Sequence, residues 1–179
     1  YEDNTFRPSN AITRAEFAAI AARFDSDEYT GEDKFRDISG HWTAEYINRA
    51  SEKGWISGYE DGTFRPDGTV TKAELISIVG RIAGLQESAK QNNHGADGMV
   101  QTALTKGLFD WDEIPPTAQT YDEPITRQLA VKIVMNAFFK DERGDYNRVS
   151  SSVSDFAQLD GRYYDSMIAA YCKGIVYGD

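Results

Sequence analysis

YEDGTFRPDGTVTKAELISIVGRI, residues 59–82, decides the fold, because YEDNTFRPSNAITRAEFAAIAARF at residues 1–24 repeats it. The copies start 58 positions apart and agree at 12 of 24 positions. The shared residues include the loop letters Asp, Thr, Phe, Arg and Pro and the helix-opening Thr-x-Ala-Glu. Identity in a loop between two different helices is hard to explain by packing alone. A repeat of this length marks an array of supersecondary units that bury a shared core. Such arrays serve more often as binding or scaffolding devices than as enzymes.

Each unit reads in two halves. The back half is a Gly/Asp/Pro loop followed by a helix, Tyr59–Pro66 and then Thr71–Ile82. The front half is a short lead-in and another helix, FRDISGHWTAEYINRASEKGWISG at 35–58. There Trp42, Tyr46, Ile47 and Ala50 fall at helical spacing. Gly54 supplies the left-handed cap after Lys53. A diverged back half runs through YDEPITRQLAVKIVMNAFF at 121–139, with Ile125, Leu129, Ile133 and Val134 as its buried stripe. A second front half, 153–179, aligns Gly174 with Gly54, which puts Met167 under Ile47 and Ala170 under Ala50. A remnant of a third, ADGMVQTALTKGLF, puts Gly107 at the same place, with Val100 and Ala103 as its apolar face.

The pieces are thus 1–24 (a back half), 35–83 (a complete repeat), 94–140 (a degenerate repeat) and 153–179 (a front half). The fold class expected is mainly α, a helix-loop-helix array that is either circularly shifted, with its ends close together, or a window cut from a longer array. Polar linkers are expected at 25–34 and 140–152, and a further hinge at 86–95.

Composition limits the function. With 40% hydrophobic residues the chain can build a core, and a formal net charge of −10 opposes nucleic-acid binding. No apolar stretch reaches the roughly 18–20 residues that span a bilayer, so membrane insertion is not expected. No signal peptide is visible and Tyr1 is not a natural start, so the chain reads as a mature or excised fragment. One cysteine, Cys172, leaves no internal disulfide to form; it falls on an apolar helix face and reads as a buried structural thiol. His41 and His94 are the only histidines and belong to no catalytic constellation, so an enzyme is not expected. The acidic run Asp25, Asp27, Glu28, Glu32 and Asp33 invites a calcium reading, but Gly31 is misplaced for an EF-hand, and a solvated linker is the better reading. No metal or cofactor is expected.

Thr13-Arg-Ala-Glu16 and Thr71-Lys-Ala-Glu74 are capping boxes, in which Thr accepts from the N3 amide and Glu reaches back to the N-cap amide. That explains Thr and Glu but not the cations Arg14, Lys72 and Arg127 at the first helical position, beside the positive end of the helix dipole. A helix N-terminus with an adjacent cation can seat a carboxylate or phosphate. The bland alternative is an exposed cation pairing with a neighbour such as Asp37. Phe6 and Phe64 read as core pegs. Trp42 either packs inside or forms a wall against which a sugar ring stacks.

The phrases FRDISGHW, GWISGYEDGTFRP and ITRAE resemble the S-layer homology domain family over nearly the whole chain, weakly at 94–112. The resemblance implies three repeats in a pseudo-threefold, three-pronged helical spindle. It implies non-covalent anchoring of a bacterial surface protein to a secondary cell-wall polysaccharide, often pyruvylated, at the cell wall of a Gram-positive-type bacterium. It also implies ligand grooves between adjacent repeats. Arg14 and Arg127 match the family arginine, and Lys72 departs from it, replacing a bidentate grip with a point charge. In the third copy Gln128-Leu129 replaces Ala-Glu, so the capping box is lost. The Phe-x-Asp lead-in survives as Asp37 and, loosely, as Asp155. With Trp42 these complete the expected ligand set, and one or two working grooves are expected. The other class consistent with the array is a protein-interaction scaffold that ignores wall carbohydrate. What the anchor would carry is not legible.

Overall fold

The computed structural model describes residues 3–24 and 28–176. It is mainly helical: α1 (Arg14–Ala22), α2 (Ala44–Glu52), α3 (Lys72–Ile82), α4 (Asp97–Thr105), α5 (Ala118–Tyr121), α6 (Arg127–Phe138), α7 (Tyr146–Ser152) and α8 (Tyr164–Cys172). Two 3-10 turns, Phe156–Gln158 and Gly161–Tyr163, lead into α8. Extended pairing among the described residues is confined to isolated bridges.

The chain divides into two compact units, residues 12–70 and residues 1–11 with 71–179. The boundaries fall inside the repeated paragraph, so each loop and the helix that follows it belong to different units. The physical reason is that the loop is tied to a front half. Phe64 and Arg65 hang on Asp37 within one unit, while Phe6 and Arg7 hang on Asp155 within the other.

In the smaller unit α1 packs on α2. Phe17, Ala18, Ala21, Ile47 and Ala50 are buried there with Phe64, which also meets the Phe35 ring at 5.4 Å. Thr13 bridges Thr69. In the larger unit α3 packs on α4 and α6, and α6 packs on α8. Its core includes Leu75, Ile76, Val100, Ala103, Ile133, Val134, Met167 and Ala170. The apolar stripes read from the sequence are therefore the buried ones, and Phe6 and Phe64 are buried pegs.

The capping boxes at Thr13 and Thr71 are both formed, with the Thr hydroxyl and the Glu carboxylate each engaged. Thr126 makes no side-chain cap bond. The front-half helices close on Gly54, Gly107 and Gly174, at φ of 69°, 72° and 70°. A left-handed residue is needed there for the chain to leave the helix, and only glycine adopts it without a Cβ penalty.

Four expectations need correction. Trp42 does not pack inside: it is 68% exposed, with its ring beside His41. The polar stretch 140–152 is not all linker, because Asp145 caps Arg148 and starts α7, which buries Val149. The proposed hinge at 86–95 is tied down, since the buried Asp97 carboxylate accepts from the Gln91 and Asn92 amides and Ser88 bonds Gly98. Cys172 is half-buried rather than buried. Of the acidic run, Asp25 and Asp27 lie outside the described residues, and Asp33 accepts from the Asn48 side chain.

Candidate functional site

Arg14 opens α1, yet its side chain turns back instead of following the helix. Nε donates to the Phe64 carbonyl at 2.8 Å and an η-nitrogen to the Ser57 carbonyl at 2.8 Å. The guanidinium lies over the Phe64 ring at 4.6 Å and the Tyr59 ring at 5.0 Å. Only 9% of the residue is exposed. This resolves the puzzle of a cation at a helix N-terminus. Carbonyl dipoles and two aromatic faces compensate for the unfavourable helix end.

The Phe64 carbonyl is held in place by the loop. Asp37 accepts from the Phe64 and Arg65 amides, at 2.8 Å each, which fixes two successive N–H groups on one carboxylate. Such a backbone nest forces an unusual conformation, and Arg65 sits at φ 57°. A non-glycine residue in the left-handed region costs about 1 kcal/mol or more and persists only when its surroundings fix it. Arg65 is fixed further by Asp61 at 3.1 Å, by the Thr63 hydroxyl at 3.3 Å, and by the Tyr59 ring 3.9 Å below its guanidinium. Burial works against ionisation of Asp37, but the two amides outweigh it and hold its carboxyl below the usual range.

The same arrangement recurs in the larger unit with residues far apart in sequence. Arg127 opens α6, is 9% exposed, and donates Nε to the Phe6 carbonyl at 2.8 Å with its guanidinium 4.9 Å over the Phe6 ring. Asp155 accepts from the Phe6 and Arg7 amides at 2.7 Å each. Arg7 stands at φ 56° and pairs with Asp3 at 3.0 Å. The loosely matched Val153–Asp155 lead-in thus does for the opening loop what Asp37 does for its own.

Lys72 opens α3 and behaves differently. Its Nζ pairs with Glu123 at 2.8 Å, and its side chain is 14% exposed. In that copy the Thr-Phe-Arg-Pro segment is absent and α5 stands in its place. The structure therefore joins Arg14 to Asp37 through Phe64, and Arg127 to Asp155 through Phe6. It places Lys72 on Glu123. Trp42 stands at the start of α2 with His41, whose Nδ1 meets the Thr43 amide and hydroxyl and whose Nε2 faces Asp67 at 3.7 Å.

Sequence reasoning passed over three participants. Tyr59 and Arg65 lie in the shared loop, and their pairing is spatial. Glu123 could have been found by register, since it stands three residues before Thr126 as Gly68 does before Thr71 and Asn10 before Thr13. A fourth group, buried Lys132 with Asp110 at 2.6 Å and Glu113 at 2.9 Å, belongs to the degenerate copy and had no signal in the repeat. Among the described residues no cluster of His, Cys, Asp and Glu is arranged to hold a metal ion. Nor is any described helix long and apolar enough to cross a membrane.

Residues 1–18 and 34–76 match the S-layer homology domain, and the chain belongs to that family. It is 39% identical over 153 residues to a cellulosome-anchoring protein of Acetivibrio thermocellus, covering 80% of this chain and 29% of that one. It is 36% identical over 94 residues to cell surface glycoprotein 1 of the same organism, covering 45% of this chain and 4% of the relative. It is also 34% identical over 114 residues to the exoglucanase XynX of that organism, covering 61% of this chain and 10% of the enzyme. The chain thus spans less than a third of each of these relatives.

Proposed function

We propose that this chain attaches a bacterial surface protein to the cell wall without a covalent bond, by gripping a carboxylate-bearing wall polysaccharide such as one carrying pyruvate ketals. Family membership and the anchoring and cell-surface names of its relatives support attachment at the cell surface. The relative named as an enzyme shares only 10% of its length with this chain, which favours a non-catalytic role for the shared part.

The single observation that carries the ligand reading is the duplicated arginine seat. Arg14 and Arg127 are each pre-aimed by a loop carbonyl and an aromatic face, beside the free-amide end of a helix. An arginine already ordered loses less conformational entropy on binding. Its edge would receive the ketal carboxylate, the helix amides would add hydrogen bonds, and exposed Trp42 would cover a sugar ring. Asp37 and Asp155 act through the loops they hold. One charge-assisted hydrogen bond contributes about 1.5–3 kcal/mol, so one seat gives modest affinity. Two seats on one polymer gain through effective concentration.

Co-sedimentation with purified wall sacculi, before and after mild acid removal of pyruvate, tests the proposal. The expected result is binding that falls after depyruvylation and in Arg14→Lys and Arg127→Lys. Lysine keeps the charge but not the fork, so the variants probe geometry as well as sign. Binding indifferent to both treatments, or no binding to any wall fraction, would refute it.

A further inference from the structure

The three helix-opening cations sit in one backbone register. The Arg14 amide donates to the Gly68 carbonyl at 2.8 Å, the Arg127 amide to the Asn10 carbonyl at 2.9 Å, and the Lys72 amide to the Glu123 carbonyl at 3.0 Å. The main chain opposite each cation is therefore the same, and the side chain it carries is not. Glycine and asparagine bring no carboxylate to the cation. Glu123 brings one and sets it on Lys72 Nζ at 2.8 Å.

We infer that Glu123 is a built-in occupant that keeps the third anion seat shut, so that the chain offers two carboxylate seats and not three. This deepens the proposed function and rests on it. The Glu123 carboxylate has the chemistry of the expected ligand group, and its tether gives it a local concentration that a free ligand must exceed. A single ammonium point charge satisfied by one carboxylate has little attraction left for a second. Glu123 is half exposed and its backbone carbonyl, not its side chain, carries the bond to α3. Changing the side chain leaves that bond in place.

The test is calorimetric titration of the full chain with a methyl hexopyranoside carrying a 4,6-pyruvate ketal, using wild type, Glu123→Gln, and Glu123→Gln with Lys72→Ala. Thermal melts confirm that each variant is folded. The expected result is one additional molar equivalent bound by Glu123→Gln, lost again when Lys72 is replaced. Wild-type binding with no added equivalent in Glu123→Gln would overturn the gate and leave the arginine reading standing. No wild-type binding with one Lys72-dependent site in Glu123→Gln would support the gate and overturn the arginine reading. Silence in both overturns both.

Discussion

Asp155→Asn and Asp37→Asn are the same substitution made in two copies of one device, and they should differ in cost. Each carboxylate accepts from two successive amides, at 2.7 Å for Asp155 and 2.8 Å for Asp37. An amide side chain can accept from only one of them and turns its own N–H₂ towards the other. The variant therefore loses one charge-assisted bond outright and weakens the second. A hydrogen bond to a charged group contributes about 1.5–3 kcal/mol, with further cost where the abandoned N–H is buried. Asp155 is 7% exposed and the Phe6 amide is buried, whereas Asp37 lies at the surface, where water can replace what is lost. We expect Asp155→Asn to cost about 2–4 kcal/mol and Asp37→Asn about 1 kcal/mol. At roughly 2–4 °C per kcal/mol for a chain of this size, the melting temperature should fall by about 4–12 °C in the first and by about 2–4 °C in the second. Amide hydrogen exchange gives the local measure: protection should drop at residues 6 and 7 in one variant and at 64 and 65 in the other. Equal costs, or a larger cost for Asp37→Asn, would refute the claim that burial of the clamp sets its contribution.

Two further outcomes follow from the loops and caps. Thr71→Ala removes a formed capping box and should destabilise by about 1 kcal/mol, whereas Thr126→Ala removes no cap bond and should change stability by less than about 0.5 kcal/mol in urea titrations. Asp61 has its carboxyl pKa lowered from 3.8 to about 2, first by the Thr63 hydroxyl, then by the Thr63 amide and Arg65. Its folded pKa is depressed, so its contribution to the loop is complete above pH 3.8 and is lost as the pH falls through about 2. A carboxyl-carbon NMR titration should place its midpoint near 2; a midpoint at 3.8 or above would mean that the loop bonds are not formed in solution.

The elements that repeat in sequence were legible because repetition exposes constraint. Both formed capping boxes, the glycine caps and the apolar stripes could be read from the aligned copies. What was not legible depends on residues with no counterpart. In the degenerate copy, Tyr121 stands where Pro66 stands in the full repeat, and its hydroxyl bonds the buried Asp97 carboxylate at 2.7 Å. Asp97 in turn gathers residues 91 and 92, so a stretch read as a hinge is folded around one carboxylate. Lys132 is another such case. Its partners Asp110 and Glu113 look like ordinary surface acids until α6 brings a lysine to them. Trp42 misled for a different reason, because helical spacing places a residue on a face without saying whether that face is covered.

The arginine seats also show why the loop letters repeat when the helices between them do not. To aim Arg14, the Phe64 carbonyl must point at the start of α1, which requires Arg65 in a left-handed conformation. That conformation needs its amide held by Asp37, while its side chain is anchored by Asp61, Thr63 and Tyr59. Asp, Thr, Phe and Arg of the loop are thus one mechanical chain ending at the guanidinium. Helix positions need only be apolar and of suitable size, so they drift. The copy opposite Lys72 fits the same logic: where the loop is replaced by α5, the arginine has been replaced too, and a local carboxylate occupies the cation. Loop, arginine and open seat therefore stand or fall together, and a substitution that loosens Arg65 or Arg7 should weaken wall binding even though neither residue needs to touch the ligand.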